Sequence, residues 1–366
     1  MIKTIHRRLR SEIVFVVALS LAVLTGFFAP THLNSIDFGV IAALFNLMLL
    51  TSVFEKYHLL DYISVSLLRK VGSERGISLV MIPATAVLSM FITNDVALIS
   101  VVPLTVGIGK KAGFDPYRIV VLEALAANIG SSLTPFGNPQ NLFLFNAYGM
   151  TTGEFLSVTA PFSIGGIAIL CIISLFLKKD RISAVPDSIP LGNKTELGFF
   201  IILFAVVLLS ILRLIPVLIV TIIVISVFLL SQRELIGKAD YFLLGTFVAF
   251  FIFIDHIVGM PAIVALISGM LRTDAQVFAF SALGSQAISN VPSAVLFSGF
   301  TNSYRPLLLG VSVGGMGTLV ASLANLIAYR LYGRSFGTSR FNGYFHKLNF
   351  VLLALFMLSG IFIFTG

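Results

Sequence analysis

Charge is what this chain has least of. Only 11% of its 366 residues are charged, while 57% are hydrophobic and the mean hydropathy is +1.02. That balance excludes an ordinary soluble domain and marks a polytopic membrane protein with almost no extramembrane part. There is one cysteine, Cys171, in an apolar run, so the chain can build neither a disulfide framework nor a cysteine metal site. The five histidines (His6, His32, His58, His256, His346) fall near segment ends, and no two have ligand spacing. With no nucleophile or metal set, the chain does not read as an enzyme, and no cofactor is expected. Acidic residues are outnumbered, 16 against 24 basic, for a net charge of +8. The excess is not a nucleic-acid signature. Lys and Arg cluster in short loops between apolar segments, as the positive-inside rule describes.

What is present is a broken stretch inside a membrane-length segment. Residues 128–145 read NIGSSLTPFGNPQNLFLF. Two prolines and two glycines interrupt the backbone ladder between Gly130 and Asn141. Around them sit the polar, uncharged Ser131, Ser132, Thr134, Asn138, Gln140 and Asn141. In lipid, non-helical backbone survives only where protein or a water-filled cavity satisfies its polar groups. Secondary transporters build ion and substrate sites from such broken helices. A proline kink in a structural helix is the competing reading.

The pattern recurs. A shift of 184 residues lays the stretch on 312–329, SVGGMGTLVASLANLIAY, pairing Gly130 with Gly314, Thr134 with Thr318 and Asn141 with Asn325. Upstream of each copy lies a second polar interruption: Thr93-Asn94-Asp95, and Ser289-Asn290-Val291-Pro292-Ser293. Corresponding interrupted segments in two halves are the best sequence pointer to a transporter's binding site.

Lengths give the topology. Arg75 and Lys110 bracket 34 mostly apolar residues, which as helix extend about 51 Å, whereas two crossings of the bilayer core need about 60 Å. A re-entrant hairpin over 76–109 with its tip at Asn94 explains the length and both basic flanks. The alternative, one strongly tilted crossing, leaves Asp95 in lipid. Between Arg272 and Arg305 a mirror hairpin, 273–304, carries Ser289-Asn290 at its tip. The expectation is nine spans (13–29, 36–53, 118–148, 155–177, 196–212, 215–231, 240–257, 305–330 and 348–365) and two hairpins, with interfacial helices near 57–71 and 259–271. The fold class is therefore all-α, with two inverted-topology repeats, residues 1–177 and 214–366, joined by a linker and connecting span over 178–213. This map puts the N-terminus in the cytoplasm and the C-terminus outside. It leaves 21 of 24 Lys and Arg inside, with only Arg213, Arg272 and Arg305 outside.

TNDVALISVVPL, NIGSSLTPFGNPQNL, SNVPSAV and GTLVASLAN resemble the ion transporter superfamily, which includes arsenite permeases, citrate and divalent-anion symporters and NhaD-type sodium/proton antiporters. Within it the chain resembles short bacterial inner-membrane permeases of the YbiR type. The resemblance implies a secondary transporter of a small anion or oxyanion in the bacterial inner membrane, surrounded by lipid and homodimeric. It places the substrate between the two hairpin tips and the two broken helices. Carried over residue by residue, it implicates Asn94, Thr134, Asn290 and Thr318, with Ser131, Ser132, Asn138, Ser293 and Ser322 nearby. Thr93, Ser289 and Gly317 belong to the same tips and break. The divalent-anion symporters carry Ser-Asn-Thr at both tips; the departure here leans toward the arsenite-permease branch.

The residues support that placement. Amides, hydroxyls and half-helix carbonyls replace an ion's hydration shell, and half-helix N-termini favour an anionic group. Asn141 and Asn325 read equally as ligands or as ties across the breaks. Asp95 is the one acid expected at depth, where carboxylates are costly and usually functional. It is read as a sodium ligand, alongside Asn94 and Asn290, or as a proton carrier, against a structural carboxylate satisfied by backbone N–H groups. Glu123, five residues past Arg118, is expected to reach the interface, and Asp255 and His256 to anchor a span end. A sodium/proton antiporter without anion substrate is the alternative function.

Overall fold

The structure, a computed structural model, describes residues 13–68, 71–179 and 189–365. The basic N-terminus, Arg69 and Lys70 of the first interfacial segment, and residues 180–188 of the expected linker lie outside the described residues. Those described form eighteen α-helices and no strand. In the first half they are α1 (Ile13–Gly26), α2 (Phe38–Lys56), α3 (Leu59–Leu68), α4 (Glu74–Ile92), α5 (Asn94–Ala112), α6 (Tyr117–Ser131), α7 (Pro139–Ala147) and α8 (Thr152–Ser174). After the linker come α9 (Lys194–Ile211), α10 (Val217–Ser231), α11 (Arg233–Ile236), α12 (Tyr241–Val258) and α13 (Pro261–Met270). The chain ends with α14 (Asp274–Ile288), α15 (Asn290–Ser298), α16 (Tyr304–Gly314), α17 (Leu323–Gly333) and α18 (Thr338–Thr365).

Helix starts follow local chemistry. Ser73 Oγ accepts from Gly76 N–H at 3.1 Å to open α4. Thr151 with Glu154, and Thr273 with Gln276, form reciprocal capping boxes at α8 and α14. Asn138 accepts from Asn141 N–H at 2.9 Å, and Pro139 stands at the first position of α7, where its missing N–H costs nothing.

Six helices are individually long and apolar enough to cross a membrane: α2, α4, α8, α9, α12 and α18. α1 and α10 are apolar but shorter, and the pair α13–α14 is bent by 105°. The segments expected as broken spans are broken: α6 stops at Ser131 and α7 starts at Pro139, while α16 stops at Gly314 and α17 starts at Leu323. Two lengths differ from expectation. α4 and α5 hold 19 residues each because they run past the basic brackets, to Glu74 and Ala112. Each arm is thus about 28 Å long, close to a core thickness by itself. α18 starts ten residues before the expected span, since Phe341 and Phe345 are buried in the core and extend the helix.

Two apolar cores organise the packing. One surrounds α6, whose residues from Ile119 to Ser131 are all buried among α4, α5, α8, α17 and α18. The other joins α2, α7, α9, α10 and α12, with α1 laid on α12. The halves interlock across these cores. α17, from the second half, packs on α5 and α6, and α7, from the first, packs on α15 and α16.

Candidate functional site

Two single-residue breaks define the tips. Thr93, between α4 and α5, has φ 74° and ψ 149°; Ser289, between α14 and α15, has φ 75° and ψ 157°. This region is ordinarily reserved for glycine, and a side-chain-bearing residue held there costs of order 1–3 kcal/mol. The break exposes the first N–H groups of the helix that follows. Asn94 N–H donates to Gly137 O at 3.2 Å, and Asn290 N–H donates to Ala321 O at 2.9 Å. Each tip is therefore fastened to the broken helix of its own half. A second fastener accompanies each: the Thr134 hydroxyl donates to Met90 O at 2.5 Å and the Thr318 hydroxyl to Gln286 O at 3.1 Å.

The broken helices are tied internally by the same residue type. Asn141 Nδ2 donates to Ser131 O at 3.2 Å, Ser132 O at 3.2 Å and Thr134 O at 3.1 Å. Asn325 Nδ2 donates to Gly315 O at 3.0 Å and Thr318 O at 3.1 Å. Both asparagines thus spend their amide donors on carbonyls that the breaks set free. Close approach explains the paired glycines. A Cβ at Gly130 would lie 2.5 Å from Ala86 Cα, and one at Gly314 would lie 3.0 Å from Ala282 Cα.

The halves meet on Asn128. Its Oδ1 accepts from Asn94 Nδ2 at 3.1 Å and from the Ser322 hydroxyl at 2.8 Å, and its Nδ2 donates to Asn325 Oδ1 at 2.8 Å. The hydroxyls of Ser131 and Ser132 return to Asn128 O at 3.0 and 2.9 Å. Asn290 closes the group from the other tip: a Cβ at Gly315 would lie 3.2 Å from Asn290 Nδ2 and 3.8 Å from Asn128 Cγ. Two buried acceptors here are unpaired, Asp95 Oδ1 and Asn141 Oδ1. Asp95 stands in the first turn of α5, where the exposed N–H groups favour negative charge.

Several residues depart from the reading of the sequence. Ser293 is buried but its hydroxyl turns to Ser281 O at 2.8 Å, within the α14–α15 pair. Ser289 Oγ donates to Ala321 O at 3.4 Å, and Gly317, at φ 105°, makes room for Gln286. Glu123 does not reach an interface. It is 0% exposed, two turns inside α6, because five helices surround α6. Asp255 does anchor a helix end, accepting from His32 N–H at 2.9 Å, but His256 is buried between the hydroxyls of Thr25 and Thr31 at 2.9 and 2.7 Å. Asn128 and Gln286 were not singled out from the sequence. Gln286 donates to Gly314 O and Met316 O and accepts from Thr318 N–H, bracing the second break. The signal for both was their position: polar residues within a turn or so of a break, in otherwise apolar helices.

Comparison with known proteins gives three results. A family model described as citrate transporter matches residues 1–304. An uncharacterized transporter of Methanocaldococcus jannaschii is 35% identical over 311 residues, 84% of either chain, and the inner membrane protein YbiR of Escherichia coli is 32% identical over 322 residues, 87% of either chain. The crystal structure of the Alcanivorax borkumensis YdaH transporter shares the fold, with a TM-score of 0.59 at 13% identity over 96% of both chains.

Proposed function

The chain belongs to the citrate transporter family, a multi-pass group of transporters and not enzymes, and from that premise we propose that it is a secondary active transporter of a small anion or oxyanion, coupled to sodium or protons. One observation carries the reading: four chain breaks are tied to one another, and Asn94, Ser322 and Asn325 converge on Asn128. A static bundle has no use for so many interrupted helices in one place. In this reading α4–α5 and α14–α15 are re-entrant hairpins of two inverted repeats, 1–177 and 214–366, with 178–213 as linker and connecting span. Alternating access is a rigid movement of the hairpins and broken helices against the remaining helices. The N-terminus lies in the cytoplasm, the C-terminus outside, and the protein is a homodimer in the inner membrane.

The cargo sits among Asn94, Asn128, Asn290, Thr134 and Thr318, with helix N-termini supplying partial positive charge in place of lysine or arginine. A sodium ion takes the oxygen-rich side near Asp95. The unpaired Asp95 Oδ1 also favours a second reading, a sodium/proton antiporter with no anion substrate. Thermal unfolding of the purified protein with sodium, arsenite, phosphate, sulfate and citrate separates the two, since a ligand of the folded state raises its apparent stability. Stabilisation by one of the anions supports the first reading. Stabilisation by sodium alone, with sodium–proton exchange in anion-free proteoliposomes, replaces it with the second.

A further inference from the structure

Glu123 has no part in the cluster around Asn128, and the fold has not been spared its cost. The carboxyl is 0% exposed; one oxygen accepts from the hydroxyl of Thr105 on α5, itself 0% exposed, and the other, Oε2, is buried without a partner. Among the described residues no cation forms an ion pair with it. The charged groups of the helices packed on α6 stand near their ends. Glu74 and Arg75 open α4; Asp95 and Lys110 with Lys111 occupy the two ends of α5. Glu154 opens α8, Arg305 stands in the first turn of α16, Arg330 lies in the last turn of α17, and Arg340, His346 and Lys347 lie in the first three turns of α18. On α6 itself the nearest is Arg118, whose Nε donates to the Tyr117 hydroxyl at 3.0 Å. An ionised carboxylate in this place is a bare charge in a low-dielectric core, worth several kcal/mol of penalty. A carboxylic acid carries no such penalty and gains a donor.

Gly130 lies against Ala86 and the Thr134 hydroxyl reaches Met90, so α4 and α6 run parallel with residue 79 level with residue 123. Pro83 lies in the same stretch of α4 and lacks the N–H that would bond to the Leu79 carbonyl. We propose that Glu123 is a proton-binding site: a carboxylic acid sealed between α4, α5 and α6, which keeps its proton while it is sealed and releases it to water when α5 shifts along α6 and opens the carboxyl to solvent. Thr105 lies eleven residues, about 16 Å, along α5 from Asn94. A movement at the tip is thereby transmitted to the carboxyl. The role of this proton in a cargo cycle rests on the transport reading; its presence does not.

Infrared spectroscopy of the protein in lipid nanodiscs tests the two separately. At neutral pH the wild type shows a protonated-carboxyl C=O band that Glu123→Gln removes and Asp95→Asn retains. Thr105→Val moves that band to higher frequency, because the carbonyl loses its hydrogen bond. A wild type without the band, or a band untouched in Glu123→Gln, overturns the proposal. In proteoliposomes with arsenite or citrate as probe cargo and a trapped pH dye, Glu123→Gln abolishes cargo-driven proton movement while cargo counterflow continues. Equal proton movement in both proteins overturns the coupling role. If the wild type carries neither probe but the infrared band follows Glu123, the transport reading fails and the proton site stands.

Discussion

The side-chain amide of Asn128 donates to Asn325 Oδ1 at 2.8 Å, joining residues 197 positions apart in the chain. The same side chain accepts from Asn94 and Ser322, so one residue holds three others that belong to two different breaks, one in each half. The geometry of the site therefore depends on a group that is not itself at a break.

Removing it is the first test. Asn128→Ala strands two donors and one acceptor in a buried setting, at roughly 1–3 kcal/mol for a group left unsatisfied. Asn128→Asp keeps the acceptor for Asn94 and Ser322 but faces Asn325 Oδ1 with a second acceptor. Both variants are expected to lower the melting temperature and abolish cargo uptake in vesicles. Uptake at the wild-type rate by either would show that the junction is dispensable.

The tips give a prediction of opposite sign. Thr93 and Ser289 occupy backbone conformations suited to glycine, and Thr93 makes no side-chain capping bond. Thr93→Gly is expected to raise stability, or leave it unchanged, by relieving up to about 1–3 kcal/mol of backbone strain against the added freedom of the unfolded chain. Ser289→Gly should do the same. A marked fall in melting temperature for both would mean that the side chains, not the backbone, hold the tips.

Asp95→Asn discriminates between the two functional readings. It keeps the size of the side chain and removes the charge beside the unpaired oxygen. Anion uptake with an altered pH dependence is expected under the first reading, and loss of all sodium–proton exchange under the second. Sodium–proton exchange that persists in Asp95→Asn takes the exchange away from Asp95.

A fourth prediction concerns pH at the end of α2. Lys56 Nζ lies 2.7 Å from Glu234 Oε1, and this hydrogen bond holds the Glu234 carboxyl below its ordinary range. A carboxyl lower in the folded than in the unfolded state adds stability above the unfolded value, about 4.3, and loses it as the pH falls through the folded value. Since Glu234 is exposed, the contribution is small. Glu234→Gln should melt slightly earlier than wild type at neutral pH, with the gap vanishing in acid. A gap that grows on acidification would contradict the assignment.

Much of this was legible in the chain. Pro135, Gly137 and Pro139, packed within five residues, disfavour a continuous helix, so the first break was visible as composition, and the shift of 184 residues marked the second where no proline helps. Asn141 and Asn325, which read equally as ligands or ties, do tie the breaks through their amide donors, while Asn141 Oδ1 stays unpaired. What the chain concealed was burial around a helix. Glu123 was placed by its distance from Arg118 along α6, but its exposure depends on α4, α5, α8, α17 and α18, which come from both halves. Helix ends also lie beyond the sequence bracket at Lys110, since α5 runs on through Lys110 and Lys111 to Ala112. The two lysines lie in the last turn of α5, where cations complement the free carbonyls.

The exchange of α7 and α17 between halves bears on how the protein is made. When the ribosome has delivered α7, the faces it will rest on, α15 and α16, are more than a hundred residues away in the unmade chain. The nascent first half must wait with an unmatched surface, which exposes it to chaperones and membrane proteases. Fragments 1–177 and 178–366, produced together in one cell, should rescue one another from degradation, and neither should accumulate alone.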